Sequence, residues 1–290
     1  MSFVLKNKNL CLEFHNSEEG YQGSRFTQIG KLFAISFKGV SFTTNELQNG
    51  FSKEHGTGFY NEFDIDTALG YEETKKGDWF HKIGVGLLKK EDEVYDFLKK
   101  YECNKAAITA QLSENSMVFE ANQKEYNGYG YHLKQEYILN GNGFSINYRL
   151  ENTGSKTIKT SEYNHNFLQI QNALISPAYR LNFIPEIKMS KHSEFVNPND
   201  AVDFNEKQLT FKATPESDFF ISDVQAKSGI ILGWELVQKS FKIKAATNFT
   251  PTKMNIWGTG HVMSPELFAE IMVKPDEVKT WNRSYEFEVL

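Results

Sequence analysis

The chain has 290 residues, 40% hydrophobic and 24% charged, a balance that excludes an intrinsically disordered polymer. Its 32 lysines and arginines against 37 aspartates and glutamates give a net charge of −5 with no basic run, which argues against a nucleic-acid partner. Aromatic residues reach 14%; such residues fit half-buried pleated surfaces and also stack on sugar rings.

Along the chain, the opening MSFVLKNKNLCLEF is interrupted by Lys6 and Lys8 and has no continuous apolar signal-peptide core. No later segment has the length of a membrane span, so the expected location is cytoplasmic with no membrane partner. Cys11 and Cys103 lie in no metal-ligand spacing; they read as free packed thiols, with a single disulfide as the alternative. Within residues 91–102, Val94, Phe97, Leu98 and Tyr101 follow i, i+3, i+4, i+7, which predicts a short helix. Elsewhere the period is two. Phe144, Ile146, Tyr148 and Leu150 alternate with Ser145, Asn147 and Arg149. Phe241, Ile243 and Ala245 alternate with lysines, and Tyr285, Phe287 and Val289 with Ser284, Glu286 and Glu288. Turn residues at 140–143, 152–154 and 274–277 separate such runs, and residues 190–205 form the longest polar excursion. The pattern predicts one all-β domain over residues 1–290, a large twisted antiparallel sandwich whose core needs no staples.

Signatures for phosphate loops, dinucleotide binding, serine hydrolysis and zinc proteolysis are absent. The seven histidines do not pair at ligand spacing, so no metal and no cofactor are expected. Three segments concentrate polar chemistry. In residues 161–170, His165 stands between Asn164 and Asn166 at the start of an apolar alternation. It is placed either to exchange protons near neutral pH or to sit satisfied in a polar corner. In residues 254–275, Glu270 interrupts an apolar run. By alternation it faces solvent; facing a cavity, it would be desolvated and a candidate base. Glu266 is the competing carboxylate, and Trp257 is either a sugar platform or an interior residue. In residues 56–63 and 77–86, Glu62, His81 and Lys82 lie among aromatics, which has the form of a small-ligand site or of a solvated rim.

Taken in order, these segments resemble the galactose mutarotase-like (aldose 1-epimerase) superfamily. The series is Gly-Tyr-Gln-Gly-Ser-Arg-Phe at 20–26, Asn61-Glu62-Phe63, Lys-Ile-Gly-Val-Gly at 82–86, Tyr-Asn-His-Asn-Phe at 163–167, Trp257 with a carboxylate strand after it, and a Pro-Asp-Glu turn before the last strand. Asn164-His165-Asn166-Phe167-Leu168 is the strongest piece and is similar to the family's Asn-His-Thr-Tyr-Phe-Asn-Leu signature. The resemblance spans nearly the whole chain. It implies a twisted β-supersandwich with a small-molecule sugar on its concave face. It also implies an isomerase: a glutamate takes the anomeric proton, a histidine protonates the ring oxygen, the ring opens, C1–C2 rotates and the ring closes. By resemblance His165 is the acid and Glu270 the base, with Glu266 in reserve. Arg25, Glu62, His81, Lys82, Asn164, Trp257 and Glu266 then fall to substrate binding.

Two departures stand out. Glu62 occupies the place of the arginine in the family's Asn-Arg-Ile, leaving Arg25 as the arginine expected near the site. The family's Leu-His-Gly-Gly is absent, and His81 with Lys82 is the nearest substitute. These changes point to a divergent branch acting on a sugar other than plain galactose or glucose. The sequence thus reads as a monomeric or homodimeric epimerase. A non-catalytic carbohydrate-binding sandwich is the alternative, and an accessory fold of a lyase or hydrolase a third reading. A carboxylate and an imidazole on opposite sides of a sugar-sized pocket would support ring opening, so whether His165, Glu270 and His81 converge on one cavity tests the reading.

Overall fold

The period-two runs form strands in a computed structural model that describes residues 2–190, 192–228 and 233–290. In Gly143–Asn152 the buried residues are Phe144, Ile146, Tyr148 and Leu150, as the alternation requires. This strand pairs antiparallel with Tyr129–Asn140 on one side and Val278–Val289 on the other. All three belong to a ten-stranded sheet. A seven-stranded sheet packs against it and contains Leu10–Phe14, Leu32–Phe37, Phe59–Phe63, Ile158–Asn166 and Ala269–Val273. Aromatic rings fill the space between: Phe14 meets Tyr137 edge-on at 4.8 Å, and Phe59 meets Tyr285 at 4.9 Å. Such pairs add about 0.5–1.5 kcal/mol each beyond their area burial.

Two smaller antiparallel sheets complete the molecule. One contains Phe195–Val196, Phe219–Val224, Met254–Gly258 and Met263–Leu267; the other contains Trp79–Lys82, Gly86–Lys89 and Cys103–Lys105. Among the described residues the only helical pieces are two 3-10 turns, Ile170–Asn172 and Pro198–Asp200. The fold is all-β, a large antiparallel sandwich. Cys11 and Cys103 are free and half-buried. The polar segment 190–205 is an excursion that holds the short strand Phe195–Val196, one 3-10 turn and Val202–Phe204.

The helix expected over 91–102 does not form. Val94 and Leu98 are 77% and 69% exposed, so the i, i+4 pair that would anchor a helix faces water. The buried residue is Tyr101, and the partly buried Tyr95 stacks on it at 6.0 Å and packs with Tyr71 and Phe80. Phe97 covers the Arg25 guanidinium at 4.8 Å. Tyrosine packing and the cation–π contact organise this loop more strongly than helical period does.

The strand Ile158–Asn166 positions the chemistry. It lies between Phe59–Phe63 and Ala269–Val273, with His165 opposite Tyr60, Tyr163 opposite Glu62 and Ser161 opposite Glu270. Its even-numbered residues turn to the ten-stranded sheet: Glu162 meets Trp281 and Arg283, while Asn164 and Asn166 meet Tyr285. Tyr163 and His165 therefore point to the opposite face of the seven-stranded sheet.

Candidate active site

Met263–Leu267 is laid against the end of this strand by hydrogen bonds. The Asn166 backbone N–H donates to Ser264 Oγ (2.9 Å), and Asn166 Nδ2 donates to the Pro265 carbonyl (2.8 Å). The docking places Glu266 Oε1 3.3 Å from His165 Nε2, with Ser264 Oγ donating to the same oxygen at 3.1 Å. His165 and Glu266 are each 4% exposed. Phe167 stacks on the imidazole at 4.1 Å, and Trp257 and Phe26 meet it edge-on at 5.3 and 5.8 Å. Among the described residues His165 Nδ1 has no hydrogen-bond partner.

Electrostatics follow from this burial. Desolvation pushes the Glu266 carboxyl up to about 8, although Arg25 and the Ser264 hydroxyl pull the other way. Desolvation also drives His165 well below the usual imidazole range, and the Arg25 charge adds to the effect. Both directions favour a carboxylic acid beside a neutral imidazole over the carboxylate–imidazolium form.

A second polar cluster adjoins it. Glu62 Oε2 accepts from Arg25 Nε (2.8 Å) and from the Tyr163 hydroxyl (2.6 Å), and Arg25 Nη2 donates to Tyr163 Oη (3.0 Å). Lys82 Nζ lies 3.5 Å from Glu62 Oε1. The guanidinium is held between the Phe26 and Phe97 rings at 4.5 and 4.8 Å. Lys82 is fully buried, donates to the Asp64 carbonyl (3.1 Å) and Tyr95 hydroxyl (2.9 Å), and is driven below the usual lysine range by desolvation.

Open space begins at the residues that cover the pair, Trp257 and Phe26, rather than at His165 or Glu266. A cavity of about 490 Å³ is lined by Glu46, His55, Asp218, Trp257, Thr259 and His261, among others. A smaller one of about 170 Å³ adjoins Arg25, Phe26 and Phe97 and shares Glu46 and His55 with the first. Among the described residues no cluster of three or more His, Cys, Asp or Glu is arranged to hold a metal ion.

No protein-family model matches the sequence, and no curated protein matches it. Solved structures do. The chain is similar to a galactose mutarotase-like protein from Lactobacillus casei ATCC 334, at 14% identity over 99% of this chain and 100% of that one, with a TM-score of 0.60. It is similar to a galactose mutarotase related enzyme from Lactobacillus acidophilus, at 10% identity over 100% of both chains and a TM-score of 0.59. It is similar to an aldose epimerase homologue from C. elegans, at 11% identity over 100% of both chains and a TM-score of 0.59. The chain has the galactose mutarotase-like fold. At these identities the likeness is one of architecture, so roles on the fold rest on this chain's own residues.

Within the galactose mutarotase-like sandwich the residues expected from sequence separate into two groups. His165, Glu266, Arg25, Glu62 and Trp257 lie together. Glu270 does not join them: in Ala269–Val273 the residues Ala269, Ile271 and Val273 are buried while Glu270 and Met272 are exposed. The carboxylate beside His165 is therefore Glu266, and the convergence expected of His165, Glu270 and His81 is not formed. His81 follows strand alternation to the face opposite Lys82, where Nε2 bonds the Tyr126 carbonyl (3.0 Å) among Tyr126, Tyr129 and Tyr131. Asn164 faces the sandwich interior and donates to the Tyr285 hydroxyl (2.9 Å), so it holds the strand rather than facing the cavities. Lys82 stands behind Glu62. Sequence reasoning missed Tyr163, Ser264, Glu46 and Phe97. Two of these carried a readable signal, since Tyr163 and Ser264 stand two residues before His165 and Glu266 and thus share their strand faces.

Proposed function

We propose that the chain is an aldose 1-epimerase-type isomerase that interconverts the anomers of a free sugar at the His165–Glu266 pair. The observation that carries this reading is the buried 3.3 Å contact between Glu266 Oε1 and His165 Nε2 beside the Trp257 ring. The pair's single proton has two placements. With carboxylate and imidazolium, Glu266 takes the proton of the anomeric hydroxyl, the O1 electrons form the carbonyl, C1–O5 breaks, and the ring oxygen takes the His165 proton. The pair is left as carboxylic acid and neutral imidazole, the form that burial favours. Rotation about C1–C2 and the reverse transfers close the ring as the other anomer, with no proton drawn from solvent. Trp257 offers a ring for stacking, and Arg25, fixed by Glu62 and Tyr163, offers a guanidinium to sugar hydroxyls. General acid and base help contributes about 10²–10⁴-fold per group.

NMR saturation exchange between anomers, run over a panel of sugars, tests this. His165→Asn and Glu266→Gln are each expected to slow exchange by about 10²-fold or more with the circular dichroism spectrum unchanged. Parent-like exchange in both variants removes the reading. A second reading, sugar binding without chemistry, is favoured by the cover of Phe26, Phe167 and Trp257 over the pair and by Glu62 in the place of an arginine. Its signature is calorimetric sugar binding by a parent protein that gives no anomer exchange.

A further inference from the structure

We infer that Ser264 is a positioning residue that locks one carboxylate oxygen of Glu266 to the histidine strand and leaves the other oxygen for proton transfer; this rests on the epimerase reading above. Ser264 is completely buried and lies two residues before Glu266 on the same strand face. Its hydroxyl has one hydrogen. Because Oγ accepts the Asn166 backbone N–H at 2.9 Å, that hydrogen is directed to its acceptor, Glu266 Oε1, at 3.1 Å. Asn166 follows His165 in the chain. One hydroxyl therefore ties the carboxylate to the backbone of the strand that presents the imidazole.

The division of labour within the carboxylate follows. Oε1 is engaged by Ser264 and by His165, while Oε2 has no hydrogen-bond partner among the described residues. Oε2 is the oxygen that takes the sugar proton. The hydroxyl has an electrostatic effect as well as a mechanical one. A donor to Oε1 stabilises the carboxylate against its acid, and so raises the share of the carboxylate–imidazolium placement that opens the ring.

The consequence is quantitative. Loss of the hydrogen bond raises the Glu266 proton affinity. A rise of about one pH unit shifts the balance between the two placements about tenfold. One cause thus produces two effects: the neutral-pH plateau of kcat falls about tenfold, and the alkaline limb, set by loss of the pair's last proton, moves up by about one pH unit. A serine with only a packing role would lower the plateau and leave the limb in place.

The experiment uses Ser264→Ala and Ser264→Thr in the full chain. The Glu266 carboxyl is titrated by ¹³C NMR in protein labelled at glutamate, its signal assigned by Glu266→Gln, and pH–rate profiles are recorded beside it. The expected result is an upward move of about one pH unit in the titration and in the alkaline limb for Ser264→Ala, KM held within about twofold, and recovery of both by Ser264→Thr. An unshifted Glu266 titration in folded Ser264→Ala overturns the inference, whatever the activity. Should the parent exchange no sugar, the epimerase reading falls separately, and the titration still decides whether Ser264 holds Glu266.

Discussion

Asp64 follows the strand Phe59–Phe63 in the left-handed region, at φ 57°. Burial raises its carboxyl to about 7, against the opposing pull of Lys82. That value lies above the value of about 3.9 in an unfolded chain, so the folded state binds the extra proton. The resulting stability is fully present below about pH 4, falls as pH rises, and is lost above about pH 7. Asparagine tolerates the left-handed backbone and carries no charge to desolvate. Asp64→Asn is therefore expected to match the parent near pH 4 and to exceed it at pH 8 by about 2–4 kcal/mol, because the carboxyl titrates about three pH units higher in the folded chain than in the unfolded one. Thermal melts at both pH values check this, and a lower Tm at pH 8 refutes it. Nothing at the residue scale of the sequence announced this site. An aspartate between Phe63 and Ile65 looks like a strand end, and the groups that act on its carboxyl, Lys82 and Thr160, lie on distant segments. His165 was legible because two amides flank it and apolar residues follow. Its carboxylate partner was not, because the pairing depends on how Met263–Leu267 docks.

Strand alternation was the most dependable signal at the scale of elements. It placed the buried residues of Gly143–Asn152 correctly, and it gave Glu270 a solvent-facing position that the family resemblance argued against. The strand follows alternation. Glu270→Gln is accordingly expected to change anomer exchange by less than about twofold and stability by less than about 0.5 kcal/mol, as for an exposed site without special contacts. A loss comparable to that of Glu266→Gln would return Glu270 to the mechanism. Alternation fails where both faces of a strand are covered. From Glu162 to Asn166 every residue is buried, so no polar side marks which face carries chemistry. Residues 91–102 failed for another reason. Four apolar positions matched a helical face, but only Tyr101 of the four is buried, packed with Tyr95 from outside that face, and the cation–π contact of Phe97 with Arg25 joins distant segments of chain, beyond any local pattern.

At the scale of the whole molecule, contacts between sheets decide what the strands do, and Glu162 is where they concentrate. It projects from the seven-stranded sheet into the ten-stranded one. There Oε2 accepts from Arg283 Nη2 (2.6 Å) and Trp281 Nε1 (3.0 Å), and Oε1 accepts from Asn61 Nδ2. The Trp281 ring stacks on Tyr148 at 5.0 Å, and Tyr148 in turn donates its hydroxyl to Asn61 Oδ1 (3.1 Å). This network lies one residue along the strand from Tyr163, on its opposite face, so the frame and the site share a backbone. A buried ion pair contributes little net stability when intact, but removing one partner strands the other charge in the interior and costs about 3–5 kcal/mol. Glu162→Ala is expected to lose that much, and Glu162→Met with Arg283→Met to regain most of it, because neither charge then remains unpaired. We propose further that residues 1–290 unfold as one unit, since the network joins both large sheets. The loss in Glu162→Ala then appears as a shift of a single denaturation transition, coincident by tryptophan fluorescence and far-ultraviolet circular dichroism. Two separated transitions, only one of them moved by Glu162→Ala, would divide the chain into independent units and confine the network to one of them.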